Sequence, residues 1–289
     1  MPGWISDKQT NLAQVSLPPQ ATAALPPKAR VETIMLFGLP KCGKSSGACS
    51  LIEEVLTKNQ DCTIHYVCTD DGLDDTFNWY FQNRSDEIRS KMKVYYPSRF
   101  KLSSEPFFNQ IASMFYNIRD QAKKTDWIIV DLAGKFWNWA QDVYVEQTSP
   151  QNVITTYLSD AAKDMKRFSE MNRLQWQFIK RLDNIATFDI IENPPCNLLY
   201  IFGENELDID DTVEDQQKEN ANDIFRLVGC KPEGQKKMAY AFSTIVYLGG
   251  LQQRSYIVLG DRGYMSNYKE IPYERSWYKE FLKNRGKSQ

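Results

Sequence analysis

The sequence predicts an α/β fold: a mostly parallel sheet with helices on both faces and a C-terminal β-hairpin. Three observations carry that expectation. Short, wholly apolar runs alternate with longer segments of helical periodicity. A glycine-rich loop joins the first apolar run to the first helix. Two further apolar runs lie close together near the end and are joined through Gly249-Gly250.

Residues 1–30 precede the body. Their Pro18-Pro19 and Pro26-Pro27 pairs, with interleaved Ala, Gln and Ser, cannot build a core and read as a flexible tail. Residues 31–289 then read as a single domain. Thr33–Phe37 is a buried strand, and Ser46–Leu56 a helix of small and apolar residues. Cys62–Cys68 is the second strand and Met92–Tyr96 a short third. Glu105–Lys124 spaces Phe107, Phe108, Ile111, Met114, Phe115 and Ile118 at helical intervals. Trp127–Asp131 is a strand ending in an acid. Residues 155–192 read as two helices broken near Met171-Asn172. Pro194-Pro195 stops the second, and Asn197–Phe202 is the next strand. Residues 204–235 read as an acidic, mobile loop, because Glu204, Glu206, Asp208, Asp210, Asp211, Glu214, Asp215 and Glu219 face only Lys218 over 204–219. Ser243–Leu248 and Arg254–Gly260 form the hairpin.

Composition narrows the chemistry. The 289 residues carry a net charge of −2, so nothing draws the whole chain to nucleic acid. The six cysteines contain no C-x-x-C pair and read as reduced thiols, which implies the cytoplasm. The N-terminus lacks the apolar stretch of a signal peptide, and no apolar run approaches membrane-spanning length. The single histidine, His65, lies inside an apolar strand and has no partner for a His-based triad or zinc site.

The site-bearing motif is Gly38-Leu39-Pro40-Lys41-Cys42-Gly43-Lys44-Ser45, a complete G-x-x-x-x-G-K-[ST] phosphate loop between strand and helix. Its N–H groups and the following helix N-terminus, from Ser46 onward, suit phosphate oxygens. Lys44 would reach the β/γ-phosphates of ATP, and the Ser45 hydroxyl would ligate Mg²⁺. Asp131 would complete the metal shell. No Glu stands beside it, since Leu132 follows, so the carboxylate that orients water is sought elsewhere. Asp70 is the first candidate and Asp71 the second, both in the turn after the second strand. Glu204 or Asn205, just past the Asn197–Phe202 strand, would sense the γ-phosphate.

In this order the motifs resemble the RecA-like P-loop ATPase core. The set is Gly38–Ser45, then Asp70-Asp71-Gly72-Leu73-Asp74, Asp131, and the strand ending at Glu204. More narrowly, the chain is similar to the short phage-type RecA-like recombination ATPases. Lys231-Pro232-Glu233-Gly234-Gln235-Lys236-Lys237, Ala241–Val246 and Gly260-Asp261-Arg262 match the tail of that group, so the likeness runs over residues 31–265. The resemblance implies ATP hydrolysis by a homo-oligomer with ATP sites at subunit interfaces. It also implies coupling to single-stranded DNA in recombination or replication, and a host-cell cytoplasm if the chain is phage-encoded. Arg262, with Lys236 or Lys237, takes the place of the neighbour's basic finger, although Gly260 stands where that group has a Lys. The family's first DNA loop corresponds to Ala133–Trp139, where Lys135 is flanked by Phe136, Trp137 and Trp139. Those rings also suit packing under the following helix. A basic set, Lys163, Lys166, Arg167, Arg173, Lys180 and Arg181, and the stretch Lys279–Lys287 are the other electrostatic candidates. A small-molecule or nucleoside kinase, and a nucleotide-dependent scaffold without turnover, remain as alternatives.

Overall fold

A computed structural model of the chain describes residues 31–70, 72–97, 104–148, 173–207, 224–235, 238–249, 254–261 and 270–286. They belong to one compact unit, Val31–Gln289. The tail, Asp71, Lys236, Lys237 and Arg262 lie outside the described residues, as do Lys163, Lys166, Arg167 and the break at Met171-Asn172.

The main sheet is built from β1 (Thr33–Gly38), β2 (Ile64–Cys68), β3 (Met92–Tyr95), β4 (Trp127–Asp131), β5 (Asn197–Phe202), β8 (Thr244–Gly249), β9 (Ser255–Asp261) and β10 (Ile271–Pro272). Their order across the sheet is β10-β9-β8-β1-β5-β4-β2-β3. The neighbours from β3 to β8 pair parallel, while β8–β9 and β9–β10 are antiparallel. The α/β class, the mostly parallel sheet and the C-terminal hairpin expected from the sequence are therefore present. A separate two-stranded ribbon, β6 (Glu204–Glu206) with β7 (Cys230–Pro232), leaves the end of β5.

Central strands read as unbroken apolar runs because both faces are covered. On one face lie α1 (Lys44–Lys58), α2 (Leu73–Phe81), α3 (Ser85–Arg89) and α8 (Trp277–Gly286). Ile34, Leu36, Ile64, Ile129 and Val246 meet Leu51, Ile52, Phe77, Ile88 and Trp277 there. The alternate strand residues, Met35, Phe37, Ile128, Val130 and Tyr200, point to the other face. They meet α4 (Ser104–Gln121), α5 (Gly134–Thr148), α6 (Arg173–Ala186) and α7 (Phe188–Glu192) through Ile111, Phe115, Phe136, Ile179 and Ile190.

Three expectations need correction. Ala133–Trp139 is not a loop: α5 begins at Gly134, directly after the β4 turn. Phe136, Ala140 and Val143 follow at i, i+4 and i+7 and are buried, so the core holds this segment as helix. Trp139 packs edge-on against Phe136, and Trp137 stacks on Trp176. The segment 204–235 is not a loop throughout, because its two ends pair as β6 and β7; residues 208–223 lie outside the described residues. In the basic stretch from Lys279, Lys279 is exposed, Lys287 lies outside the described residues, and the other two cations are engaged. Lys283 pairs with Glu280, and the mostly buried Arg285 bridges Glu32 at 2.7 Å and Asp261 at 3.2 Å. Arg173, Lys180 and Arg181 are exposed on α6.

His65 is buried and its Nδ1 lies 3.2 Å from the Tyr95 hydroxyl. Burial, then Lys93, pushes its pKa down, so the ring is neutral and structural. All six cysteines are free and buried.

Candidate functional site

Strand register assembles the site. Leu36, Ile201, Asp131 and Cys68 form one row across β1, β5, β4 and β2. Two residues further on stand Gly38, Gly203, Ala133 and Asp70, all on the edge formed by the strands' C-terminal ends. Ligands of open α/β sheets bind at such an edge.

The phosphate loop occupies this edge at β1. A Cβ on Gly38 would sit 2.2 Å from the Leu248 carbonyl oxygen, so only glycine lets β1 turn into the loop beside β8. Gly43 precedes α1 with φ of 93°, a left-handed conformation that glycine adopts without strain. No side chain caps α1, and its first turn contains no acid. The leading N–H groups of a helix have no intrahelical partners, so this end presents donors and a positive dipole. The Lys44 ammonium donates to the Gly38 and Leu39 carbonyls, both at 2.7 Å, which fixes it across the loop. Leu39, Lys44, Ser45 and Ser46 are half-buried, Pro40 and Lys41 are exposed, and Cys42 is buried.

Asp131 ends β4 fully inside the protein. Its Oδ2 accepts from the Tyr66 hydroxyl at 2.8 Å. Its buried Oδ1 has no hydrogen-bond partner among the described residues. Burial pushes its pKa up, against the Tyr66 and Ser45 hydroxyls and Lys44. Asp70 adds repulsion from the side of β2. Thr69 holds the chain after Asp131: its hydroxyl accepts from Leu132 N–H at 2.8 Å and lies 3.1 Å from the Asp131 carbonyl oxygen. The Asp131–Leu132 peptide is cis.

A buried carboxylate oxygen left unpartnered is costly unless a cation or donor meets it. The Ser45 hydroxyl, in the first turn of α1, and the Lys44 ammonium are near enough to act on this carboxylate. Among the described residues no three His, Cys, Asp or Glu side chains converge as a metal cage.

Asp70 lies half-buried past β2, where its Oδ1 accepts from Gly72 N–H at 3.3 Å and opens the turn into α2. Glu204 is half-buried beside the phosphate loop; burial pushes the Cys42 thiol up, and the Glu204 charge adds to that rise. Glu204 also reaches Cys230, which in turn meets Tyr247. Asn205 is exposed.

Two groups stand at this edge that the sequence did not place there: Lys135, read as a DNA contact, and Glu233, named only within the 231–237 stretch. Lys135, in the first turn of α5, donates to the Thr69 carbonyl at 3.1 Å and so brings a second ammonium to the edge. Glu233 is the other. Pairing of Glu204 with Pro232 makes residue 233 the next opposite Gly203, whose carbonyl accepts Glu233 N–H at 3.0 Å. Burial pushes the Glu233 carboxyl up, and Lys44 and then Lys135 oppose that shift by charge. The sequence signal was Gly203, immediately past the end of β5, together with Gly134, three residues past β4 at the start of α5.

Among the described residues no helix is long and apolar enough to cross a membrane. No known family model matches the chain, and no curated protein matches it.

Proposed function

We propose that this chain is an ATPase of the RecA-like P-loop kind, binding Mg·ATP at the C-terminal edge of its sheet. One observation carries the reading. The unpartnered oxygen of buried Asp131 lies beside Ser45, at the uncapped start of the helix that follows the glycine loop. In this reading the loop N–H groups and the α1 dipole bind phosphate oxygens, and Lys44 spans the β/γ-phosphates. Ser45 and Asp131 would hold Mg²⁺, which when bound supplies positive charge against the phosphates. Tyr66 and Thr69 keep the Asp131 carboxylate and the chain behind it in place. The RecA-like assignment draws support from the order of the motifs and from the parallel strands that set them on one edge.

Oligomeric sites with a basic finger at Arg262, coupling to single-stranded DNA, and a setting in phage recombination or replication rest on the resemblance. The helix at Gly134–Thr148 removes the first of the two DNA loops that the resemblance implies. The exposed Arg173, Lys180 and Arg181 of α6 are described basic residues open to such contact.

The test is phosphate release from ATP with and without single-stranded DNA, at low and moderate salt, beside Lys44→Ala. Turnover lost in Lys44→Ala supports the site. Equal turnover in both proteins overturns it. Stimulation by DNA that fades with salt supports the coupling. Indifference to DNA restricts the reading to an ATPase with another partner.

A further inference from the structure

Glu233 is held where few carboxylates are found by accident. A Cβ on Gly203 would meet its Cδ at 2.5 Å, Oε1 at 2.6 Å and Oε2 at 2.7 Å. A Cβ on Gly134 would meet its Oε2 at 2.5 Å. One carboxylate thus fills the space that two missing side chains leave at the ends of β5 and β4. Its backbone is pinned on one side by the ribbon register and the Gly203 carbonyl. On the other side Gly234 turns at φ of 105°, and Gln235 then donates to Asp183 Oδ2 at 2.6 Å and to Asn184 Oδ1 at 2.9 Å. Asp183 is itself fully buried, so this anchor belongs to the core.

The side chain is near enough to the phosphate loop for the Lys44 charge to act on it. Lys44 is the leading charge that acts on it and Lys135 the other, and it forms a direct ion pair with neither. Asp70 is placed less well. At 4.7–4.9 Å between neighbouring strands, β2 lies three spacings, about 14 Å, from β1, whereas β5 is the strand next to β1. Asp70 also spends Oδ1 on the Gly72 turn.

We infer that Glu233, rather than Asp70, orients and deprotonates the water that attacks ATP, an inference that rests on the ATPase reading above. The water oxygen forms the new bond to the γ-phosphorus. The bond from that phosphorus to the β–γ bridging oxygen breaks, and its electron pair leaves on ADP. The water proton passes to the Glu233 carboxylate and from there to solvent. Burial raises the proton affinity of that carboxylate, and the positive charges of Lys44 and Lys135 act against the rise.

The experiment compares wild type, Glu233→Gln, Glu233→Asp and Asp70→Asn in steady-state ATP hydrolysis, with binding of a fluorescent ATP analogue measured in parallel. Glu233→Gln is expected to lose about 100-fold or more in kcat, with KM and analogue binding within about threefold of wild type. Glu233→Asp should recover part of the lost kcat, and Asp70→Asn should lose less than Glu233→Gln. A Glu233→Gln kcat within threefold of wild type overturns the inference while leaving the ATPase reading intact. So does a loss of analogue binding that accounts for the whole loss of rate. Wild-type protein that binds the analogue without turnover overturns both.

Discussion

A single methyl group at residue 203 separates the placement of Glu233 from its chemistry. The Cβ of Gly203→Ala would lie 2.5 to 2.7 Å from the three terminal atoms of Glu233. Carbon contacts settle at about 3.5–4.0 Å, so the carboxylate must retreat by about 1 Å. The atoms struck are the far end of a flexible side chain, and Gly203 has no positive φ that would exclude alanine. A strained Glu233 rotamer costs about 0.5–1.5 kcal/mol, and the stiffer unfolded chain returns about 0.4–1 kcal/mol. The net change in stability is therefore within about 1 kcal/mol. A catalytic group misplaced by 1 Å loses on the order of 100-fold in rate. Urea denaturation and phosphate release together check the pair: near-normal stability, with hydrolysis about 100-fold slower. Gly134→Ala supplies the contrast. Its Cβ would strike the Cβ of Glu233 at 2.8 Å, which cannot swing aside, so the ribbon itself must move. Overpacking of that kind costs about 1–3 kcal/mol. Wild-type turnover in Gly203→Ala would refute the reasoning, as would a stability loss equal to that of Gly134→Ala.

Three further outcomes are expected. Tyr66→Phe removes the 2.8 Å hydrogen bond to a buried carboxylate whose other oxygen is already unpartnered, so it should cost about 1–3 kcal/mol in metal-free denaturation. Asp183 has its pKa raised by burial from 3.8 to about 6, so it is penalised on ionising; folded protein should lose about 3 kcal/mol as pH rises from 3.8 towards 6. Denaturation curves across that range should lack this decline in Asp183→Asn, and an unchanged slope would remove Asp183 as its source. Arg285→Met removes the cation from Asp261, whose side chain is 1 % exposed and would keep the Thr244 hydroxyl but no countercharge, and should lower stability by about 3 kcal/mol in the same measurement.

How much could be read from the sequence depended on whether a feature was local. The central strands of the parallel sheet are largely apolar runs, and the phosphate loop is eight consecutive residues, so both were legible. Asp131 was legible because the strand that carries it ends there. Lys135 was misread for the opposite reason. Its aromatic neighbours resemble a stacking surface along the chain, and only the i, i+4, i+7 spacing of Phe136, Ala140 and Val143 marks them as a buried helix face. Glu233 could not be found at all from its own surroundings. Its meaning depends on Gly203 and Gly134, brought to it by a ribbon that closes across residues 207–229 and by the β4–β5 pairing. Lys44 and Ser45 announce themselves by motif, whereas Glu233 belongs to a turn whose local chemistry suggests only a bend.

Trp277 closes the account of how α1 is held. Its indole N–H donates to the Gly47 carbonyl at 3.0 Å, and its ring is buried against the middle of that helix. The helix that begins at the phosphate loop is therefore completed by residues made some 230 positions later. During synthesis α1 would emerge early with its back face bare, and a ribosome stalled before residue 277 would leave the loop on an unsupported helix. Nucleotide affinity of such nascent chains should rise abruptly, as one late step, when α8 clears the exit tunnel.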